Sequence, residues 1–223
     1  MRVRGIGLTL ALALAGAAGG YGLGTLEHDE PAPIARAEPV PAQSPSIPVD
    51  PEPTFAGDVE YPPLSAGLVY EDRRIGNPPF FQWAYHAPRG WARTTTDQPN
   101  EYRWRPPDEP TEGGYSLRVK LVTERLTPQQ MVDQKVAAME SGYEDVEIIS
   151  KDSDELYFTY RDGNDRQRHN MFRWFTAPGQ TAAAFEMSVV GRVVDVPGLE
   201  ALMEHVAVSV RKLPVATRVG STP

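Results

Sequence analysis

Apolar and polar positions along residues 80–213 predict a sheet interrupted by two helices. Residues 115–123 alternate strictly, with Leu117, Val119 and Leu121 on one face and Ser116, Arg118 and Lys120 on the other. One buried and one wet face favours an antiparallel sheet. Upstream, residues 81–86 and 102–105 read as shorter strands, stopped by Ala87-Pro88-Arg89-Gly90-Trp91 and by Pro106-Pro107. The clearest helix begins at Thr127, a natural N-cap, with Pro128 at the first helical position and Gln130 completing a capping box. Val132, Val136 and Met139 give it an apolar stripe, and Gly142 supplies its stop. A meander of three strands follows at 146–150, 156–161 and 168–176, turning at Asp152-Ser153-Asp154 and at Asp162-Gly163-Asn164-Asp165. After Pro178-Gly179 comes another strand at 183–190. A closing helix is expected from near Asp195 and Pro197 to about Lys212, burying Leu199, Leu202, Met203, Val206 and Val210. The expected fold class is α+β: a mostly antiparallel sheet of about six to seven strands packed with two main helices, over residues 66–213. The final segment, 214–223, reads as a loose tail.

The amino-terminal pattern is different. Gly5 to Leu26 carries no charge over 22 residues, enough for a helix to cover the roughly 30 Å bilayer core. Arg2 and Arg4 precede it and no Lys or Arg follows until Arg36, which places the amino terminus in the cytoplasm and the remainder outside. Two readings stay open. As an uncleaved anchor the segment has the length; as a cleaved signal peptide it has a basic start, an apolar run at 6–14 and small residues at Ala15-Gly16-Ala17. Both export the domain. Gly16, Gly20 and Gly24 share one helical face, a stripe that would permit a homodimer within a membrane. From Pro31 to Pro63, ten prolines in 33 residues preclude helix and central strand, so residues 27–65 read as an extended acidic spacer.

The first predicted strand ends in Tyr85-His86-Ala87-Pro88-Arg89-Gly90-Trp91. This Tyr-x-x-Pro-x-Gly-Trp sequence, with the order of elements after it, resembles the Mog1/PsbP-like fold in its exported actinobacterial form, over about residues 80–213. The resemblance implies an exported head, a short spacer and an α+β domain with a binding or accessory role. The chain departs from the lipoprotein members in having no cysteine for lipid attachment.

Charge changes this picture in one place. The net charge is −8, but residues 27–63 hold eight acids against one base, whereas residues 64–223 hold 22 acids and 19 bases. The folded part is near neutral, and nucleic acid is not an expected partner. The absence of cysteine excludes thiol nucleophiles, disulfides and thiolate metal sites. No pair among His28, His86, His169 and His205 has metal-ligand spacing, and no phosphate-binding or nucleophile motif occurs, so no cofactor is implied. The aromatics Trp83, Tyr85, Trp104, Phe158, Phe172, Trp174 and Phe185 read as core. What stands out is basic and lies on strands. Arg103 and Arg105 share a face opposite Tyr102 and Trp104; Arg118 and Lys120 share the wet face of the next strand. Arg166, Arg168 and Arg173 lie in or near the sixth strand, Arg173 with the opposite parity. Arg103, Arg105, Arg118, Lys120 and Arg173, with Trp104 and Trp174, are therefore the candidate ligand-binding residues for an anionic envelope component or an acidic protein. The competing reading is a solvated face balanced by Glu101, Glu147 and Glu186. Functionally, the leading expectation is a membrane-tethered, non-enzymatic binding or accessory module of the bacterial envelope. A small-ligand or lipid-binding protein with an aromatic-lined groove, and a hydrolase with an unrecognised carboxylate pair, are the alternatives.

Overall fold

Thr127 caps its helix as the sequence requires. Its Oγ1 accepts from the Gln130 N–H at 3.3 Å, and Gln130 Oε1 accepts in return from the Thr127 N–H at 2.9 Å. Helix α1 runs Pro128–Gly142 and buries Met131, Val132 and Met139. The computed structural model describes residues 52–78, 81–95, 100–110 and 112–214, all within a unit spanning 51–223. The apolar segment 5–26 with its glycine stripe, the spacer up to residue 51 and the tail beyond 214 lie outside the described residues. No helix among the described residues is long and apolar enough to cross a membrane.

The strands are β1 (Tyr70–Asn77), β2 (Phe81–Pro88), β3 (Ala92–Thr95), β4 (Glu101–Arg105), β5 (Ser116–Leu121), β6 (Glu144–Lys151), β7 (Glu155–Arg161), β8 (Gln167–Thr176), β9 (Ala183–Gly191) and β10 (Arg211–Leu213). The larger sheet has the order β3-β4-β5-β9-β8-β7-β6 and the smaller β1-β2-β10. Every paired neighbour is antiparallel. The fold is thus α+β, mostly antiparallel, with two helices.

Two cores flank the larger sheet. On one face α1 covers Leu156, Phe158, Phe172 and Trp174. On the other lie the smaller sheet and helix α2 (Val196–Ser209), burying Trp83, Tyr85, Leu117, Val119, Phe185, Leu199 and Leu202. Trp83 and Tyr85 meet Phe185 at ring-centroid distances of 5.5 and 5.8 Å, which welds the sheets together.

Three expectations are corrected. Both faces of β5 are covered: Ser116 is buried, and Arg118 and Lys120 are half-buried instead of wet. Arg118 tolerates this because its charge is matched by acids on the neighbouring strands. The closing helix stops at Ser209, three residues short of Lys212. There the Ser209 hydroxyl donates to the Val206 carbonyl at 2.6 Å and accepts the His86 N–H at 2.8 Å, which turns the chain onto β2 as β10. Finally, residues 54–64, expected to belong to the spacer, are bonded to the domain. Ala56 N–H donates to the Asp165 carbonyl at 2.7 Å, and Arg161 Nη1 to the Thr54 carbonyl at 3.1 Å. Arg192, 1% exposed, donates to the carbonyls of Val59, Tyr61 and Pro62, and Asp195 accepts the Leu64 N–H at 2.9 Å. Prolines leave these carbonyls free of secondary structure, so a buried guanidinium can collect them.

Candidate anion-binding site

Cross-strand register builds a bowl on the α1 face of the larger sheet. Arg103 of β4 lies opposite Arg118 of β5, Arg118 opposite Ser188 of β9, and Ser188 opposite Phe172 of β8. Two residues along, Ser116 faces Val190, which faces Asn170, which faces Phe158. Side chains are therefore small or medium across the middle of the sheet and large at its flanks. A half-open cavity of about 330 Å³ results between this part of the sheet and the Lys135 side of α1. Arg103, Arg105, Arg118, Arg168 and Lys135 line it, against the acids Glu112 and Asp162.

These bases are not equivalent. Arg118 is neutralised: Nη1 lies 3.3 Å from Glu101 Oε2, Nη2 bonds Glu186 Oε1, and Nε donates to Ser188 Oγ at 3.2 Å. Arg105 Nε lies 3.5 Å from Glu109 Oε2. Arg168 is committed to structure, donating from Nη1 to the Gly113 carbonyl at 2.7 Å and from Nη2 to that of Gly114. Gly113 can hold this turn because its φ of +82° is open to glycine.

Arg103 and Lys135 are the exceptions. Neither has a carboxylate within ion-pair distance among the described residues. The Arg103 Nε is buried without a hydrogen-bond partner. Lys135 rests its Nζ 4.3 Å from the Phe172 ring centroid, a ring the Arg118 guanidinium also covers at 5.4 Å. Burial pulls the pKa of Arg103 below its ordinary value, and Arg105 and Arg118 pull the same way. Burial, and then Arg118, likewise lowers Lys135. On the other flank burial pushes Tyr160 up to about 12, so it is a neutral hydroxyl donor. Bases and acids at the site balance in number, but Arg103 and Lys135 keep their charges out of reach of any carboxylate among the described residues, and it is these two that an anion would meet.

The seven sequence candidates divide. Arg103, Arg105 and Arg118 come together in the cavity. Lys120 shares their face but turns to Glu124, at 3.1 Å. Arg173 lies on the opposite face, paired with Glu155 at 2.7 Å and Asp154 at 3.6 Å. Trp104 is buried beneath the smaller sheet, donating to Tyr85 Oη at 3.0 Å. Trp174 is buried under α1, donating to Glu186 Oε2 at 2.8 Å and so helping fix the carboxylate that holds Arg118. Of the proposed counter-charges, Glu101 and Glu186 serve Arg118, whereas Glu147 lies on edge strand β6. Lys135 and Asn170 were not among the candidates. Lys135 had a signal: it falls between Val132, Val136 and Met139, a charge on the helix's apolar stripe.

Elsewhere, His86 Nδ1 lies 3.1 Å from His205 Nε2, and Tyr157 Oη 2.7 Å from His169 Nδ1. Among the described residues no three His, Asp or Glu are grouped to hold a metal ion. The chain matches no family model, and no curated protein matches it significantly.

Proposed function

We propose that the chain is a membrane-tethered, extracytoplasmic and non-enzymatic binding module of the bacterial envelope that recognises an anionic component through the basic bowl. The observation that carries this reading is Arg103: a guanidinium set opposite a second arginine, half-buried and without a carboxylate of its own. Like charges directly opposed on a sheet are destabilising, and a bound anion would offset that cost. The layout of an apolar head, a proline-rich spacer and one α+β domain supports the tethered location, as does the resemblance to exported Mog1/PsbP-like proteins. The aromatic side chains support a core more than a groove, since they stack on one another, as Phe172 does on Trp174 at 5.5 Å.

Location is tested on the full chain carrying a carboxy-terminal epitope. Protease added to intact spheroplasts should remove the epitope; complete protection would overturn the extracytoplasmic reading. Binding is tested by thermal unfolding of the detergent-solubilised full chain against anionic glycopolymers, acidic peptides and small organic anions. A saturable rise in Tm with one class, abolished by Arg103→Gln, is the expected result. No rise with any class would sink the anion-binding reading.

A further inference from the structure

The bowl is divided in chemistry as well as in shape. Its cationic lobe is formed by Arg103 and Lys135, contributed by β4 and α1, on either side of the neutralised Arg118 of β5. Its rim is formed by Glu112, Asp162 and the phenol of Tyr143, from the β4–β5 loop, the β7–β8 turn and the residue after α1. Between them lies the carboxamide of Asn170, whose buried Oδ1 has no hydrogen-bond partner. A half-turn of that amide presents its NH2 group in the same place.

Each part restricts the ligand. Donors converging from β4, α1 and, through the turned amide of Asn170, β8 suit an anion with oxygens pointing in several directions. A planar carboxylate, with two oxygens in one plane, is satisfied by a single guanidinium fork. A tetrahedral phosphate fits the lobe better. The volume of about 330 Å³ lies at the lower end for organic ligands, so the phosphate carries a small body. Two carboxylates at the rim repel a second anionic group; Asp162 Oδ1 already accepts the N–H groups of Asn164 and Arg166, which leaves its other oxygen and Glu112 to accept hydrogen bonds from hydroxyls. Tyr143, half exposed and packed edge-on against Tyr160 at 4.7 Å, offers a ring to the C–H face of such a body. Resting on the anion-binding reading above, we infer that the bowl takes a phosphate ester of a small polyol. The phosphate lies against Arg103, Lys135 and Asn170, and the hydroxyls lie against Asp162 and Glu112.

That chemistry has two sources: the headgroup of a glycerophospholipid and a soluble polyol phosphate. Isothermal titration of the full chain in nonionic detergent at low salt separates them. The titrants are glycerol 3-phosphate, glycerate, inorganic phosphate, dihexanoylphosphatidylglycerol and dihexanoylphosphatidylcholine. Glycerol 3-phosphate or dihexanoylphosphatidylglycerol should bind at least tenfold more tightly than glycerate and inorganic phosphate. Preference for the first assigns the soluble source, and preference for the second the lipid. Arg103→Gln and Lys135→Gln should each weaken binding about tenfold with the fold retained by circular dichroism. Arg173→Gln, on the opposite face, should leave it unchanged. Asp162→Asn should narrow the preference over inorganic phosphate. Equal binding of glycerate, or equal loss in Arg173→Gln, overturns the inference. Binding of an acidic peptide or glycopolymer that depends on Arg103, with none of the phosphate esters bound, would also overturn it while leaving the anion-binding reading intact.

Discussion

The side chains of Arg192 and Asp195 are bonded to each other twice, Nε to Oδ2 and Nη2 to Oδ1, each at 2.8 Å, and together they fasten residues 59–64 to the domain. Burial by itself would raise the Asp195 carboxyl. The hydrogen bonds from the Arg192 side chain and backbone and from the Leu64 N–H hold it below its ordinary value instead. Leaving one buried charge without its partner costs about 3–5 kcal/mol. Asp195→Ala is therefore expected to lower the unfolding free energy by about that amount in urea, and to expose residues 52–64 to limited proteolysis first. A loss below about 1 kcal/mol would show that the pair is not the anchor.

Arg103 should be a residue kept at a cost to stability. Opposed like charges on a sheet are worth a few tenths to about 1 kcal/mol. Arg103→Gln is expected to stabilise the unliganded protein by an amount in that range at low salt, with the gain shrinking as salt is added. Destabilisation by this substitution would mean that Arg103 is satisfied within the fold.

Glu186 divides its carboxylate between Arg118 and Trp174. Glu186→Gln weakens a buried charged hydrogen bond and should cost about 1–3 kcal/mol. It also leaves Arg118 less neutralised, so the affinity for a phosphate ester should rise as stability falls. Calorimetry and urea unfolding on the same preparation read both; unchanged or lower affinity would contradict the electrostatic account.

Stability should decline on mild acidification. Burial, and then Arg168, holds His169 below the ordinary 6.5; burial, and then His86, does the same for His205. As pH falls through about 6.5 the unfolded chain takes up these protons before the folded chain does, so the folded state loses ground. Full stability is expected above that value, with a fall below it as pH drops toward the folded-state values. Asp195 acts later, its depressed value making its contribution vanish only below the ordinary carboxylate range. Tm measured from pH 8 to 5 should show the first decline. His169→Gln with His205→Gln should flatten it; an unaltered slope would assign the decline to other groups.

The sequence by itself determined the local elements. Thr127, Pro128 and Gln130 dictate where α1 starts, because a capping box is satisfied within four residues. The alternation along β4, β5 and β8 settled which residues share a face, since successive side chains on a strand must point to opposite sides. It therefore set Arg103 beside Arg105, and Arg173 on the other face from Arg168.

Only the tertiary structure decided what those faces meet. Strands β1 and β10 exist because β2 offers them unpaired backbone groups, and neither Tyr70–Asn77 nor Arg211–Leu213 alternates in a way that announces a strand. The placement of β9 between β5 and β8 sets Ser188 and Val190 beside Arg118 and Ser116 and so opens the bowl, through pairings between residues some 70 positions apart. Which arginine finds a carboxylate was likewise unreadable. Glu101 and Glu186 reach Arg118 only through register, and the same register leaves Arg103 without one. Ion pairing is a matter of a few ångströms in space, and a linear order of charges carries no such distance.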